Sequence, residues 1–154
     1  MPNEIITKDL SETAMDIDLE SLINNTAEQS DSVVNSGDYP AAYIGLKITT
    51  GGLAPAAGSV FIVYLFRRLT NAQDDNAGAT KGAITVINMY VIGVLQVTAA
   101  TNTAFEKVFT TEHLGPLGPE WGIAVKNMTG QTTHATAANH TAYFRYYVPE
   151  LQNP

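Results

Sequence analysis

The sequence predicts an all-β, antiparallel fold, and three observations carry that expectation. Apolar and polar residues alternate with period two in several short segments. β-Branched and aromatic residues crowd those segments, and glycine, proline or small polar residues break them at roughly 8 to 14-residue intervals. No long helical period and no internal repeat is evident. Seven or eight strands joined by turns make an antiparallel sandwich or a small barrel.

The elements follow in chain order. Met15, Ile17 and Leu19 alternate with Asp16, Asp18 and Glu20, which predicts an edge strand whose charged outer face blunts edge-to-edge aggregation. Residues 22–35 lack periodicity and read mostly as loop. From Tyr39 to Thr50, Ala42, Ile44, Leu46 and Ile48 face one way and Ala41, Tyr43, Gly45 and Lys47 the other. Gly51-Gly52, Pro55 and Gly58 then form a loop. The run from Ser59 to Arg68 is apolar on both faces, which predicts a central strand covered by the core on one side and by a neighbour on the other.

Asn71 to Gly82 is small, polar and glycine-bearing, so a long exposed loop is expected. Ile84 to Thr98 reads as two strands or one bent one, with Gly93 at a bulge. Residues 99–103 form a turn, and Phe105 to Phe109 alternates again. Gly115, Pro116, Gly118 and Pro119 make a stiff loop. Trp121, Ile123 and Val125 face inward and Gly122, Ala124 and Lys126 outward. A turn at residues 128–131 leads to the last strand, with Phe144, Tyr146 and Val148 opposite Tyr143, Arg145 and Tyr147.

The 154 residues suit one domain with its own core, divided here into an acidic arm or edge segment over residues 1–38 and a β body over 39–154. Cysteine is absent, which excludes disulfides, thiolate metal sites and a cysteine nucleophile. Apolar runs are far shorter than the ~20 residues of a membrane helix, and no secretory signal is read at the start, so no membrane partner is expected. The net charge of −7 is uneven. Through Pro40 there are nine acids and one base, and after it six acids and seven bases. Scattered bases and an acidic quarter argue against nucleic acid as partner.

Chemistry is hard to assemble. His134 and His140 lie in a Thr, Ala and Asn-rich stretch, and their nearest acid in sequence is Glu150; His113 stands apart. A metal site needs three or four converging ligands, so surface or hydrogen-bonded histidines are expected. Asp74-Asp75-Asn76-Ala77-Gly78 resembles a calcium loop but has Thr85 where the bidentate glutamate should stand. Ser59 is the only serine after Ser36 and lacks a nucleophile elbow. No phosphate loop is present. No catalytic residue, cofactor or metal ligand is assigned, and a non-enzyme is expected. Three glycosylation sequons begin at Asn24, Asn127 and Asn139 and read as chance matches.

The strand Trp121-Gly-Ile-Ala-Val-Lys-Asn-Met-Thr-Gly-Gln131, followed by Ala142-Tyr-Phe-Arg-Tyr-Tyr147, resembles the C-terminal part of small structural proteins from tailed bacteriophages. The strand at residues 39–50, its Ala/Pro/Gly loop, the strand at 59–66 and the polar loop at 71–82 follow the same order, so the resemblance covers roughly Tyr39 to Val148. It implies a single antiparallel jelly-roll-like β-sandwich that decorates or cements a phage head on its outer surface, as a homotrimer bound to the major capsid protein.

Tyrosine and arginine are enriched at interfaces. Tyr143, Arg145 and Tyr147 on the last strand are therefore the expected contacts between subunits, joined by Tyr64 and Arg67, with residues 1–38 against the capsid. Two other readings remain open. A tail- or fibre-associated module would bind host glycan by stacking sugars on Trp121 or tyrosines. A jelly-roll hydrolase or isomerase would hold a metal on His134 and His140.

Overall fold

The computed structural model describes residues 5–69, 72–74 and 77–151, which build two antiparallel sheets packed face to face. The strands are β1 (Ile5–Asp9), β2 (Thr13–Ala14), β3 (Ala27–Gln29), β4 (Val33–Val34), β5 (Ala41–Thr49) and β6 (Val60–Leu69). They continue with β7 (Ala72–Gln73), β8 (Gly82–Ile84), β9 (Tyr90–Gln96), β10 (Ala104–Thr110), β11 (Glu120–Met128) and β12 (Thr141–Leu151). The first sheet has the order β1-β12-β5-β10, and β2 pairs further along β12. In the second, β6 lies between β9 and β11, β3 lies beyond β11, and β8 is the far edge. β4 pairs the start of β11, and β7 the end of β6.

Four antiparallel pairs are nested in the sequence. β6 pairs β9, outside it β5 pairs β10, then β3 pairs β11, and outermost β1 pairs β12. Successive pairs fall in alternate sheets. The chain is thus one long hairpin rolled into a sandwich, which is the jelly-roll arrangement. The antiparallel sandwich read from the alternation is the fold observed, and the strand order resolves the choice between sandwich and barrel.

Alternation fills the interior. Ile44, Leu46, Ile48, Phe109 and Phe144 from the first sheet meet Phe61, Val63, Leu65, Ile123 and Val125 from the second. Trp121 is 0% exposed at the centre. Its ring stands edge-on to Phe144 at 5.3 Å, and its Nε1 donates to the Tyr146 hydroxyl at 3.0 Å. Buried aromatics keep their polar atom satisfied in this way. Gly51 is required by close approach, because a Cβ there would lie 2.4 Å from the Thr132 carbonyl oxygen.

The N-terminal quarter departs from expectation. Residues 22–35 are mostly loop, as expected, but include the short strands β3 and β4, and Met15, Leu19 and Leu22 belong to the core. The alternation over 15–20 exists without a strand, since β2 ends at Ala14. Met15 and Leu19 drop inward while Asp16 and Asp18 turn to the Lys81 ammonium, at 2.8 and 2.6 Å. Residues 10–38 thus contribute to both the core and the sheets, so residue 38 marks no break in the packing.

Two buried polar side chains stitch this segment down. Asn127 Nδ2 donates to the carbonyls of Leu22 (2.8 Å) and Gln131 (2.7 Å), while its Oδ1 accepts from the Thr129 amide and hydroxyl. Thr133 Oγ1 donates to the Leu19 carbonyl and accepts from the Leu22 amide. Asn127 is buried, so Asn127→Ala leaves several main-chain groups without partners. Unpaired buried groups cost about 1–3 kcal/mol each. Urea unfolding of Asn127→Ala should show a loss of about 3 kcal/mol, with Thr133→Val losing less. A variant as stable as the parent would remove the network from its place in the fold.

Candidate functional site

The outer face of the first sheet is the open surface with the most distinctive chemistry. Its central row runs Val108, Gly45, Tyr143 and Ala14 across β10, β5, β12 and β2. Val108 is 65% exposed and Tyr143 37%. Between them Gly45 has open space where a side chain would stand. The result is a shallow depression of about 410 Å³, with Lys47, Glu106 and Thr141 on its rim. Below this row Arg145 sits over the Tyr43 ring at 5.4 Å, in cation–π contact. Apolar walls are bordered by two cations, Lys47 and Lys107, one anion and a hydroxyl, a mixture of the kind found where proteins meet.

The expected contact residues divide between the sheets. Tyr143, Arg145 and Tyr147 do share this face. Tyr147, however, is 6% exposed, its ring 4.8 Å from that of Tyr43, and it has no face left to offer. Burial raises its pKa, and the neighbouring Glu112 adds to the shift. Tyr64 and Arg67 are on β6 in the other sheet. Arg67 donates to the Leu114 carbonyl at 2.6 Å and lies over the Tyr90 ring, so its charge is engaged within the chain.

The cover expected over β6 from a neighbour comes in part from the chain itself. Phe66, Ala77, Met89 and Ala124 form a second buried cluster on the outer side of β6 and β11, flanked by Tyr64, Ile84 and Val86. The stretch expected as an exposed loop therefore supplies a plug at Ala77 and strands β7 and β8. The Gln29 side chain holds it through Gly78 and Thr80. Asp74 accepts the Arg67 amide; Asp75 and Asn76 of the calcium-like motif lie outside the described residues.

Val108 and Gly45 escaped the sequence reading. Their signal was there: an apolar residue and a glycine stand on the outward register of otherwise alternating strands. Trp121 reverses one reading, because its complete burial removes it as a sugar-stacking platform. The histidines are committed locally. His140 is buried, its Nδ1 accepting from the Thr49 amide (3.3 Å) and its Nε2 facing the His134 carbonyl (2.9 Å). His134 Nδ1 lies 2.9 Å from Asn139 Nδ2. Among the described residues no group of three or more His, Asp or Glu side chains is placed to hold a metal.

Acidic groups gather at the β3/β8 edge. Burial, then Asp18 and Glu20, raise the pKa of Glu28. Hydrogen bonds to Asp16 and Asp18 hold that of Lys81 above its ordinary value. This cluster is internally neutralised only in part and leaves the flank negative.

The strand order defines a jelly-roll sandwich. No protein-family model and no curated protein matches the chain. Among solved structures, a chain from the crystal structure of tomato aspermy virus aligns over 97% of this chain and 79% of its own, at 11% identity and a TM-score of 0.36. So loose a superposition adds nothing to the fold assignment, which stands on the strand pairing.

His140 makes stability pH-dependent. Burial pushes its pKa below the ordinary 6.5, against the opposing pull of the His134 carbonyl and Glu20. Above 6.5 neither state is protonated and the neutral ring contributes fully. Below it the unfolded chain binds a proton that the buried ring resists, so stability falls until the folded-state pKa is reached. The urea midpoint should therefore drop between pH 7.5 and pH 5.5, and His140→Gln should flatten that drop. An identical pH profile in the variant would assign the effect elsewhere.

Proposed function

We propose that this chain is a non-enzymatic virion structural protein, a head-decoration or cement protein of the tailed-phage type. It binds the major capsid protein between neighbouring subunits on the outer surface of the capsid, as a homotrimer. Jelly rolls serve in viral shells, lectins and cupins, so the fold does not choose among these roles and the site must. The observation that supports this reading best is the open row of Val108, Gly45 and Tyr143 on a face that the described residues leave uncovered. A shallow, mixed apolar and polar surface fits a protein partner better than it encloses a small substrate. The excess of acids and the scatter of bases favour the outside of a head over its DNA-facing side.

The mechanism is mass action. A protein that binds the assembled lattice and not its separated subunits stabilises the lattice by its binding free energy. Catalysis has no part in it.

The test uses shells assembled from a major capsid protein, should one be encoded beside this chain. Co-sedimentation should be saturable, and decorated shells should resist heating better than bare ones. Gly45→Val fills the depression with a strand-favouring side chain in open space. It should keep or raise the thermal midpoint of the free protein while abolishing binding. Absence of binding by the parent chain up to its solubility limit would overturn the proposal. A specific glycan-array hit alongside that absence would transfer the chain to the host-recognition class.

A further inference from the structure

The second sheet carries a different open surface on the outer side of β9, β6 and β11. Ile62 lies between Val94 and Lys126, Tyr64 between Val91 and Ala124, and Val60 between Gln96 and Met128. Val91 is 50% exposed, Met128 41% and Val94 39%, around half-buried Ile62 and Tyr64. No charged residue occurs between Lys81 and Glu106, a stretch that includes all of β9. Contiguous apolar surface of this kind on one chain marks a contact site. We infer that the β9 flank is where copies of this chain associate, separately from the face that serves shell binding.

Charge placement identifies the second copy as occupant. The chain carries −7, and Asp16, Asp18, Glu20 and Glu28 gather at the opposite edge of this sheet. The order β9-β6-β11-β3-β8 puts four strand spacings, about 19 Å, between that edge and β9. Copies meeting at β9 hold their acidic edges about 38 Å apart, several Debye lengths at physiological salt. Approach through the β8 edge would instead bring like charges together.

The cations near the patch are accommodated. Lys107 reaches over from β10 and donates to the Val94 carbonyl at 2.9 Å. Arg67 lies over Tyr90, and Lys126 stands on the rim. With Lys107 on that outward carbonyl, the β9 edge is blunted against open-ended strand addition. Association then rests on side chains and closes into a finite assembly.

The experiment is light scattering on the full chain during size-exclusion chromatography, over roughly a hundredfold concentration range. The parent should scatter as a multiple of the 16.5 kDa chain, with little change from low to high salt. The double variant Val91→Asp/Val94→Asp should fall to the monomer mass, and Val108→Asp on the other sheet should not. Met128→Glu, at the end of β11, should weaken association and serves if the double variant loses its far-UV spectrum. A parent that is monomeric throughout, or β9 and Met128 variants that associate like the parent, would overturn the inference. Mass is read without shells, so a monomeric parent removes this inference together with the homotrimer on which it rests, while failure of shell binding is a separate result.

Discussion

Nested pairing is the constraint on which everything else depends. Because β6 with β9 lies inside β5 with β10, and both inside β3 with β11, the outermost pair joins the two ends of the chain. Each pair closes a longer loop than the one within it, and long-range pairings are slow to form because closure entropy precedes their reward. The innermost hairpin is the natural start, and β1 with β12 the natural finish. Alternation between sheets then obliges every inward residue to meet one from a distant part of the sequence, as Phe144 meets Trp121.

The roll also explains why small polar residues are buried where they are. The connection from β11 to β12 passes beside residues 19–25, and both carry main-chain groups that no ladder satisfies. Asn127 and Thr133 supply the missing partners. The same Asn-x-Thr-Gly stretch that supports the phage resemblance is therefore a structural clamp, and its glycosylation reading is excluded as long as Asn127 Nδ2 is engaged and buried.

The two outer faces differ because the connections differ. Between β6 and β9 the chain is long enough to fold back over the second sheet and cover Phe66 and Ala124. Among the described residues no comparable segment crosses the centre of the first sheet, so Gly45, Val108 and Tyr143 stay open. One sheet thereby keeps a mixed polar and aromatic surface and the other a charge-free apolar margin. Two kinds of contact on opposite sides of one small sandwich would suit a component that joins its own copies and a larger lattice.

Local periodicity determined a good deal of this protein: β5, β10, β11 and β12 were legible because the pleat has period two, and β6 from its continuous run of β-branched and aromatic residues. It also marked Met15 and Leu19 as apolar positions, but could not say that the segment lacks a ladder, since hydrogen-bond partners lie elsewhere in the chain. Tyr143 and Tyr147 look alike in sequence, two outward positions on one strand, yet only the tertiary structure sets Tyr43 against the second and leaves the first in solvent. Side-chain direction is a local property and can be read along a strand. Cover depends on which distant segment arrives, and only the folded chain decides that.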